Sequence, residues 1–245
     1  MAIFVLSDLH LSTDLSMNKS MDVFGDRWRD YMTKIQKNWN AVVADNDTVI
    51  IPGDISWATR LEDARADLDF LNKLNGTKLL GKGNHDFWWA TASKMQKFFD
   101  ENQFDTLKIL YNNAYVVEDR IVCGTRGWFP DESKQIVVGD VDYQKIVNRE
   151  VGRLRLSLDS AMMLQKSELQ NHGRSLPVAV FLHFPPIWSD FCMQEMLDVL
   201  SSYEISDVYF GHIHSAYNFP RTFLYRNMTF TLTSSDFLNF YPLKI

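Results

Sequence analysis

Residues 77–86 read TKLLGKGNHD, a short apolar run that passes at once into a loop rich in glycine and polar residues. Glycine and asparagine are ordinary turn residues, because they tolerate backbone conformations that other residues avoid. A turn has no need of His85 between Asn84 and Asp86, three side chains that can bind a metal or move a proton. The stretch therefore indicates either an elaborate turn or part of a functional site.

The same arrangement recurs along the chain. Four further apolar runs read as buried strands because they do not alternate with polar residues, and each passes directly into a polar loop. The pairs are AIFVL (2–6) with SDLH, TVIIP (48–52) with GDIS, VAVFL (178–182) with HFPP, and DVYF (207–210) with GHIH. Five of the six histidines lie in these loops, and only His172 lies elsewhere. Since ligands bind at the carboxyl ends of strands in open α/β sheets, we expect these loops to converge.

Helical and hairpin patterns fill the intervals between the predicted strands. Three segments have the apolar spacing of three and four residues that predicts helices: 28–42, 61–71 and about 141–170. Gly152 leaves open whether the third helix is split in two. Residues 115–128 and the tail around a turn at Arg226-Asn227 are typical of antiparallel hairpins. The sequence predicts an α/β fold in which two mixed sheets pack together with helices outside.

The composition limits the classes of protein to which this chain can belong. With 245 residues, 46% hydrophobic and 23% charged, the chain predicts one globular domain over 1–245. Its 25 basic and 31 acidic residues give a formal net charge of −6, which argues against a broad nucleic-acid or anionic-membrane surface. No apolar run approaches the roughly 20 residues of a membrane span. Cys123 and Cys192 make no disulfide framework, so a cytoplasmic location is the simplest expectation.

The residue types in the five loops suit two metal ions. They are carboxylates, an amide oxygen and imidazole nitrogens without thiolate, a set that favours Mn, Fe or Zn over Ca or a structural thiolate-bound zinc. A carboxylate such as Asp54 can bridge two cations, and Asn84 offers a neutral oxygen. For each residue taken singly, the alternative is a satisfied polar side chain in a turn. Five such loops in one chain favour a site.

These motifs resemble one known superfamily, the calcineurin-like metallophosphoesterases. The matching series is Asp8-Leu-His10, Gly53-Asp54, Gly83-Asn84-His85-Asp86, His183 and Gly211-His212-Ile-His214. With GTRGW, GDISWATRLEDA and LRLSLDSA, the chain is similar to an uncharacterised bacterial branch of predicted phosphohydrolases. The resemblance implies a four-layer α/β/β/α sandwich with a metal site at the carboxyl ends of the strands. It implies one metal ion on Asp8, His10, Asp54 and His214, and a second on Asp54, Asn84, His183 and His212.

The resemblance also implies a reaction. Two metal ions would clamp a phosphate mono- or diester and lower the pKa of a bridging water, and the resulting hydroxide would attack phosphorus in line. His85 would act as the general acid toward the leaving alkoxide. Asp86 would hold His85 in its tautomer and orientation, with N-capping of the next helix as the alternative role for Asp86.

Residues near the loops are candidate substrate contacts. Arg126 could reach a phosphate, and an aromatic rim of Trp57, Trp88 and Trp128 could stack on a ring of the substrate. The alternatives are a solvated or ion-paired arginine and ordinary core packing. The chain reads GDISWATR and GNHD where protein Ser/Thr phosphatases carry GDxVDRG and GNHE, which argues against that class. Small phosphorylated substrates remain open, nucleotide-like ones included, and only 129–145 reads as a local insertion.

A second class of function is a binding module that keeps this fold as a scaffold without its chemistry. Degenerate scaffolds usually lose a metal ligand or the acid histidine. Here every motif position is filled, His85 included, which favours the enzyme. A nuclease would need a basic track that the composition does not indicate.

Overall fold

The computed structural model describes residues 1–13, 20–128 and 143–245. The strands are β1 (Ile3–Val5), β2 (Thr48–Ile51), β3 (Thr77–Leu80), β4 (Leu107–Ile109), β5 (Asn113–Val117), β6 (Arg120–Thr125), β7 (Val178–Leu182), β8 (Ile187–Trp188), β9 (Phe191–Cys192), β10 (Asp207–Phe210), β11 (Thr222–Tyr225), β12 (Met228–Leu232) and β13 (Leu243–Lys244). The α-helices are α1 (Tyr31–Val42), α2 (Arg65–Lys73), α3 (Ala92–Asn102), α4 (Tyr143–His172) and α5 (Gln194–Ser202), and Met21–Phe24 forms a 3₁₀ helix.

The larger strands form two mixed sheets. The first has the order β13-β1-β2-β3-β4, in which β1 to β4 are parallel and β13 is antiparallel. The second has the order β11-β12-β10-β7-β6-β5, with antiparallel β5 and β11 on its edges and parallel strands between them. The predicted combination of parallel strands with antiparallel hairpins is confirmed.

Buried side chains divide into three layers, because the central strands are covered on both faces. In β1, Phe4 packs toward the helices while Ile3 and Val5 pack between the sheets. The layer between the sheets contains Ile3, Val5, Ile50, Leu79, Leu110, Val122, Ala179, Phe181 and Tyr209. One outer layer joins the first sheet to α1, α2 and α3, and the other joins the second sheet to α4 and α5. The predicted four-layer α/β/β/α sandwich is confirmed.

The predicted elements match the structure closely where the apolar pattern is strong. The strands at 77–80, 178–182 and 207–210 have the predicted bounds, and the hairpins lie where they were expected. Helix α4 continues through Gly152 without a break, because this glycine faces open space and keeps helical hydrogen bonding on either side. The predicted insertion at 129–145 falls largely outside the described residues.

The sequence patterns did not predict α3, α5 or β4. Strand β4 has only three residues, too few to establish a period. Helix α3 begins at an N-cap, where Thr91 Oγ1 accepts a hydrogen bond from the backbone nitrogen of Lys94. Within the described residues, no helix is both long and apolar enough to cross a membrane.

Candidate metal centre

The two sheets bring the carboxyl ends of their strands to one end of the sandwich. Asp8 follows β1, Asp54 follows β2, and Asn84 follows β3 in the first sheet. His183 follows β7 and His212 follows β10 in the second sheet. The sheets are tied together at this end, because Ser7 donates its backbone N–H to Thr233 and accepts one from Ser235, both at 2.9 Å. The loops that the sequence predicted to converge do so.

The backbone turns sharply at the candidate ligands. Asp8, His10, Asp54 and His212 all have positive φ, at 59°, 47°, 51° and 68°. Such a conformation is uncommon outside glycine and costs of order 1–3 kcal/mol per residue, so it persists only where surrounding contacts impose it. Here the contacts are loop-to-loop hydrogen bonds, including Asp8 N to Gly53 O at 3.0 Å and His10 N to Asp54 O at 2.9 Å.

Two glycines allow the loops to approach each other. A Cβ at Gly83 would overlap the backbone and carboxylate of Asp54, and one at Gly211 would overlap Ser7 and the carboxylate of Asp8. A glycine at these two positions is therefore required by the close packing of the loops around the carboxylates.

Two buried carboxylates lie at the centre of the loops. Asp8 accepts hydrogen bonds from His212 N and Ser234 Oγ, each at 3.0 Å. Burial raises the pKa of Asp8 to about 6, against the opposing charge of His214. Burial also raises the pKa of Asp54 well above its usual range, and the neighbouring charge of Asp8 raises it further. Carboxylates held in this way are costly to ionise without a cation nearby.

Three histidines surround the carboxylates. His10 Nε2 lies 3.2 Å from His214 Nε2, and His214 Nε2 lies 3.6 Å from Asp8 Oδ1. Asp54 Oδ2 lies 3.7 Å from His10 Nε2 and 3.6 Å from His183 Nε2, between the two rings. Burial, reinforced by the other histidines, lowers the pKa of His10 and of His183 well below the usual range. Both rings are therefore neutral, the form in which imidazole binds a metal.

The donor atoms fit metal ions. Two sets each hold three ligand atoms within 4.8 Å of one another: Asp8 with His10 and His214, and Asp8 with Asp54 and His183. The buried Nδ1 atoms of His10 and His183 have no hydrogen-bond partner among the described residues. Nitrogen and oxygen donors that converge in a buried site are a coordination set for a transition metal. The two sets share Asp8, whereas the resemblance implied that Asp54 is the shared ligand.

Two predicted ligands lie beside these sets. Asn84 Oδ1 is 2.7 Å from His183 Nε2, which places its amide oxygen at the second set. His212 holds Asp8 through its backbone, and its ring centroid lies 5.3 Å from that of His183. Their role as ligands stays a prediction.

Asp236 is a residue of the site that the sequence patterns did not indicate. Its fully buried carboxylate accepts hydrogen bonds from His214 Nδ1, Ser215 N and the Tyr217 hydroxyl, each at 2.9 Å. Burial acts to raise the pKa of Asp236, but the hydrogen bond and charge of His214 hold it below its usual range. The proton is thereby fixed on His214 Nδ1, which turns Nε2 toward Asp8 and His10. The sequence did contain a signal for Asp236, because this residue comes shortly after β12, as the other site residues come after their strands.

His85 lies at the edge of the centre. Its ring centroid is 5.6 Å from that of His10 and 4.5 Å from that of Trp57. Its backbone nitrogen donates to Asp54 Oδ1 at 2.8 Å, so the loop that carries His85 is tied to the carboxylate. This position is compatible with the predicted role as an acid, which stays a prediction.

Asp86 has a structural role that the resemblance did not imply. Its buried carboxylate accepts hydrogen bonds from the backbone nitrogens of Gly83, Asp54, Ile55 and Ser56 and from Trp88 Nε1, at 2.8 to 3.2 Å. These five bonds join the loops that follow β2 and β3. Asp86 is therefore the anchor of the two loops, and its predicted role in orienting His85 stays a prediction.

The candidate substrate contacts differ in position. Trp57 is half-buried and stacks on His10 with ring centroids 4.9 Å apart. The prediction that Trp88 contacts substrate is wrong, because this side chain is only 2% exposed and is packed in the outer core. Trp128 is half-buried. Arg126 lies beside the centre, 5.9 Å from the Phe184 ring and 3.6 Å from Glu150, so it is partly engaged in an ion pair.

Comparison with known proteins shows which proteins the chain is similar to. No curated protein matches it. Among solved structures, it is similar to AQ665, a protein of unknown function from Aquifex aeolicus, with 14% identity over 99% of this chain and 95% of that one and a TM-score of 0.41. It is also similar to TT1561 of Thermus thermophilus, with 12% identity, 96% and 89% coverage and a TM-score of 0.49.

A further solved structure, 10% identical over 94% of this chain and 88% of its own, has a TM-score of 0.56 and supports the fold alone. The family model of the calcineurin-like phosphoesterases matches residues 1–216. That span includes every predicted metal ligand, from Asp8 to His214. The chain belongs to the calcineurin-like phosphoesterase family.

Proposed function

We propose that this protein is a phosphohydrolase that uses two metal ions to hydrolyse a small phosphate mono- or diester. The observation that carries the proposal is the convergence of Asp8 and Asp54 with His10, His183 and His214 in one buried cluster. The family model supports the same class of activity. In this proposal Asp8, His10, Asp54 and His214 hold one ion, and Asp54, Asn84, His183 and His212 hold the other.

When bound, the ions would supply positive charge for the phosphate oxygens and lower the pKa of a water that attacks phosphorus. Mn, Fe or Zn suit these ligands. The chain's own residues provide the rest of the chemistry. Asp236 holds a proton on His214 Nδ1, and the positive φ of Asp8 and Asp54 aims both carboxylates inward before any ligand arrives.

His85 is proposed as the general acid. Its ring lies beside His10 and Trp57, at the rim of the cluster where a leaving group would emerge. Protonation of the leaving alkoxide by such a group contributes typically 10²- to 10⁴-fold to a rate, so loss of the ring should be measurable. Trp57, Trp128 and Arg126 are proposed to contact the substrate, and a nucleotide-like substrate agrees with a partly aromatic rim.

The test uses p-nitrophenyl phosphate and bis-p-nitrophenyl phosphate with protein that has been stripped of metal and then given Mn²⁺. We expect metal-dependent turnover of at least one ester, and we expect His85→Ala to lower it by about 10²-fold or more. His172→Ala is the matched control, because His172 lies at the exposed end of α4 and should change nothing. No turnover of either ester by protein shown to bind metal would favour the scaffold function instead.

A further inference from the structure

A second feature lies beside the metal centre. A cavity of about 630 Å³ opens where the loops after β3 and β4 meet α3 and α4. Its volume is in the range of small-molecule binding sites. Its lining combines cationic, aromatic and small polar side chains, of which the principal ones are Lys82, Lys94, Arg153, Trp89, Tyr111 and Asn112. We call this feature the basic cavity.

The basic cavity places two lysines and one arginine in a single lining. Among the described residues, no carboxylate lies within ion-pair distance of Lys82 or Lys94. Lys82 is half-buried in the lining of the cavity, and Lys94 is exposed at its edge. A half-buried lysine with no described carboxylate at ion-pair distance can stabilise an anion bound beside it.

Arg153, which lines the cavity, shares one acid with two arginines outside the lining, Arg149 and Arg126. Glu150 is fully buried, and its Oε1 lies 2.6 Å from Arg153, 3.1 Å from Arg149 and 3.6 Å from Arg126. Among the described residues, one carboxylate thus faces three guanidinium groups, so the positive charges at this acid outnumber the negative one. In a chain whose formal net charge is −6, such a concentration of cations at one cleft is a feature of a binding site.

The basic cavity and the metal centre are close enough for one ligand. Lys82 precedes Asn84 by two residues, and two residues of extended chain span at most about 7 Å. The backbone of Arg126 accepts a hydrogen bond at 2.9 Å from Phe184, the residue after His183. Trp89 and Tyr111, with ring centroids 5.6 Å apart, supply an aromatic wall. A molecule with one phosphate at the metal centre could place a second anionic group among the cations.

We propose that the basic cavity binds a second phosphate group of the substrate. This inference rests on the proposed function, since it assigns the scissile phosphate to the metal centre. It makes the substrate class a phosphoester that carries a second phosphate, in which Lys82, Lys94 and Arg153 hold the phosphate that is not cleaved. Two sources share this chemistry: a nucleoside bisphosphate, whose base could contact Trp89, and a sugar bisphosphate, which has no ring to stack.

The test compares ligand pairs that differ only in the second phosphate. Binding is measured by calorimetry on Mn²⁺-loaded protein carrying His85→Ala, so that turnover is suppressed. One pair is adenosine 3′,5′-bisphosphate and adenosine 5′-monophosphate, and the other is fructose 1,6-bisphosphate and fructose 6-phosphate. We expect the bisphosphate of at least one pair to bind about tenfold or more tightly than its partner, because hydrogen bonds to charged groups contribute at that level.

The preference for bisphosphate over monophosphate is then measured in Lys82→Met and in Lys94→Met. We expect the two ligands of each pair to bind these variants with nearly equal affinity. Lys97→Met is the matched control, because Lys97 is an exposed residue of α3 that pairs with Glu101 and lies outside the cavity lining. Its preference should equal that of the parent protein. Thermal melts show whether each variant is folded, and two independent lysines keep the test valid if one variant is not.

The outcomes separate the two proposals. A bisphosphate preference in neither pair, or one that survives both lysine substitutions, would overturn the assignment of the basic cavity. A preference that is lost with the lysines supports it. Turnover of p-nitrophenyl phosphate and bis-p-nitrophenyl phosphate by the wild-type protein is measured in parallel. If no ester is hydrolysed while the lysine-dependent preference persists, the proposed hydrolase activity fails and the anion site stands on binding alone.

Discussion

The candidate metal centre, called the metal centre below, and the basic cavity lie side by side but are built in opposite ways. In the metal centre the acids are buried and hydrogen-bonded within the loops. Asp86 accepts from four backbone nitrogens, and Asp8 accepts from His212 N and Ser234 Oγ. In the basic cavity Lys82 is half-buried and Lys94 is exposed, and Arg153 shares the buried acid Glu150 with Arg149 and Arg126. The first is preorganised before a ligand arrives, and the second has charge still to be satisfied.

The difference teaches what each region contributes. A buried, hydrogen-bonded cluster is insensitive to salt and positions atoms closely, which suits catalysis. An open cluster of cations attracts anions over a distance and tolerates variety in what it binds, which suits substrate selection. Changes in the metal centre should therefore affect turnover and metal binding. Changes at the basic cavity should affect the preference for bisphosphates over monophosphates and the stability of the protein.

The largest effect is expected from Asp54→Asn. This substitution keeps the volume of the side chain but removes a charge that lies between His10 and His183. Metal ions contribute several kcal/mol to such reactions, so we expect turnover of p-nitrophenyl phosphate to fall by about 10³-fold. His172→Gln, the histidine outside the site loops, should leave turnover unchanged. Activity within tenfold of the wild type in Asp54→Asn would show that the chemistry does not use this carboxylate.

Asp236→Asn tests whether the hydrogen bond between Asp236 and His214, a proposed metal ligand, affects metal affinity. Asp236 fixes the proton of His214 through the 2.9 Å hydrogen bond to Nδ1, and an amide fixes it less firmly. Loss of such a partner typically lowers metal affinity about 10- to 100-fold, which a chelator competition would measure. The matched control is Asp198→Asn, since Asp198 pairs with Arg226 at 2.7 Å on the surface. Equal metal affinity in both variants would contradict the supporting role.

Glu150→Gln tests the charge balance among the arginines beside the basic cavity. It removes the acid that three arginines share, so their mutual repulsion is no longer offset. We expect the free energy of unfolding to fall by about 1–3 kcal/mol and to recover partly as salt screens the cations. Glu168→Gln on the same helix, which breaks an exposed pair with Arg174, should cost under about 1 kcal/mol. A salt-independent loss in Glu150→Gln would point to packing instead of charge.

The smallest effect is expected from Gly152→Ala in α4, the helix that carries Glu150 and Arg153. A Cβ there meets no other atom within 4 Å, so alanine should stabilise the protein by about 0.5–1 kcal/mol through its better helix propensity. Gly173→Ala at the end of the same helix should destabilise by about 1 kcal/mol, because Gly173 has a φ of 65°. Chemical denaturation measures both. A destabilised Gly152→Ala would show that this face of α4 is covered.

Much of the fold and most of the metal centre could be predicted from the sequence. The strands at 178–182 and 207–210 stand out because both their faces are buried, which leaves the fully buried positions hydrophobic; Asp207, at the start of the second strand, is only partly buried. The loops that follow them stand out because catalytic and metal-binding residues occur where a parallel strand ends. Both signals are local in the chain, so no knowledge of the packing was needed to find them.

Other features depend on contacts between distant segments. Trp88 and Trp57 look alike in the sequence, yet one is buried beside Asp86 and the other stacks on His10. Asp236 lies 22 residues from His214 in the chain and meets it only because β12 pairs with β10.

The sequence by itself determined the α/β class, the family, and the residues that meet at the carboxyl ends of the strands, because burial and turn chemistry leave short-range patterns. Only the tertiary structure decided which tryptophan faces the site, which acid supports His214, and that Lys82, Lys94 and Arg153 line one cavity. These three cations come from separate loops and helices. Their proximity is set by how α3 and α4 pack beside the sheets, and packing over that separation leaves no periodic trace in the chain.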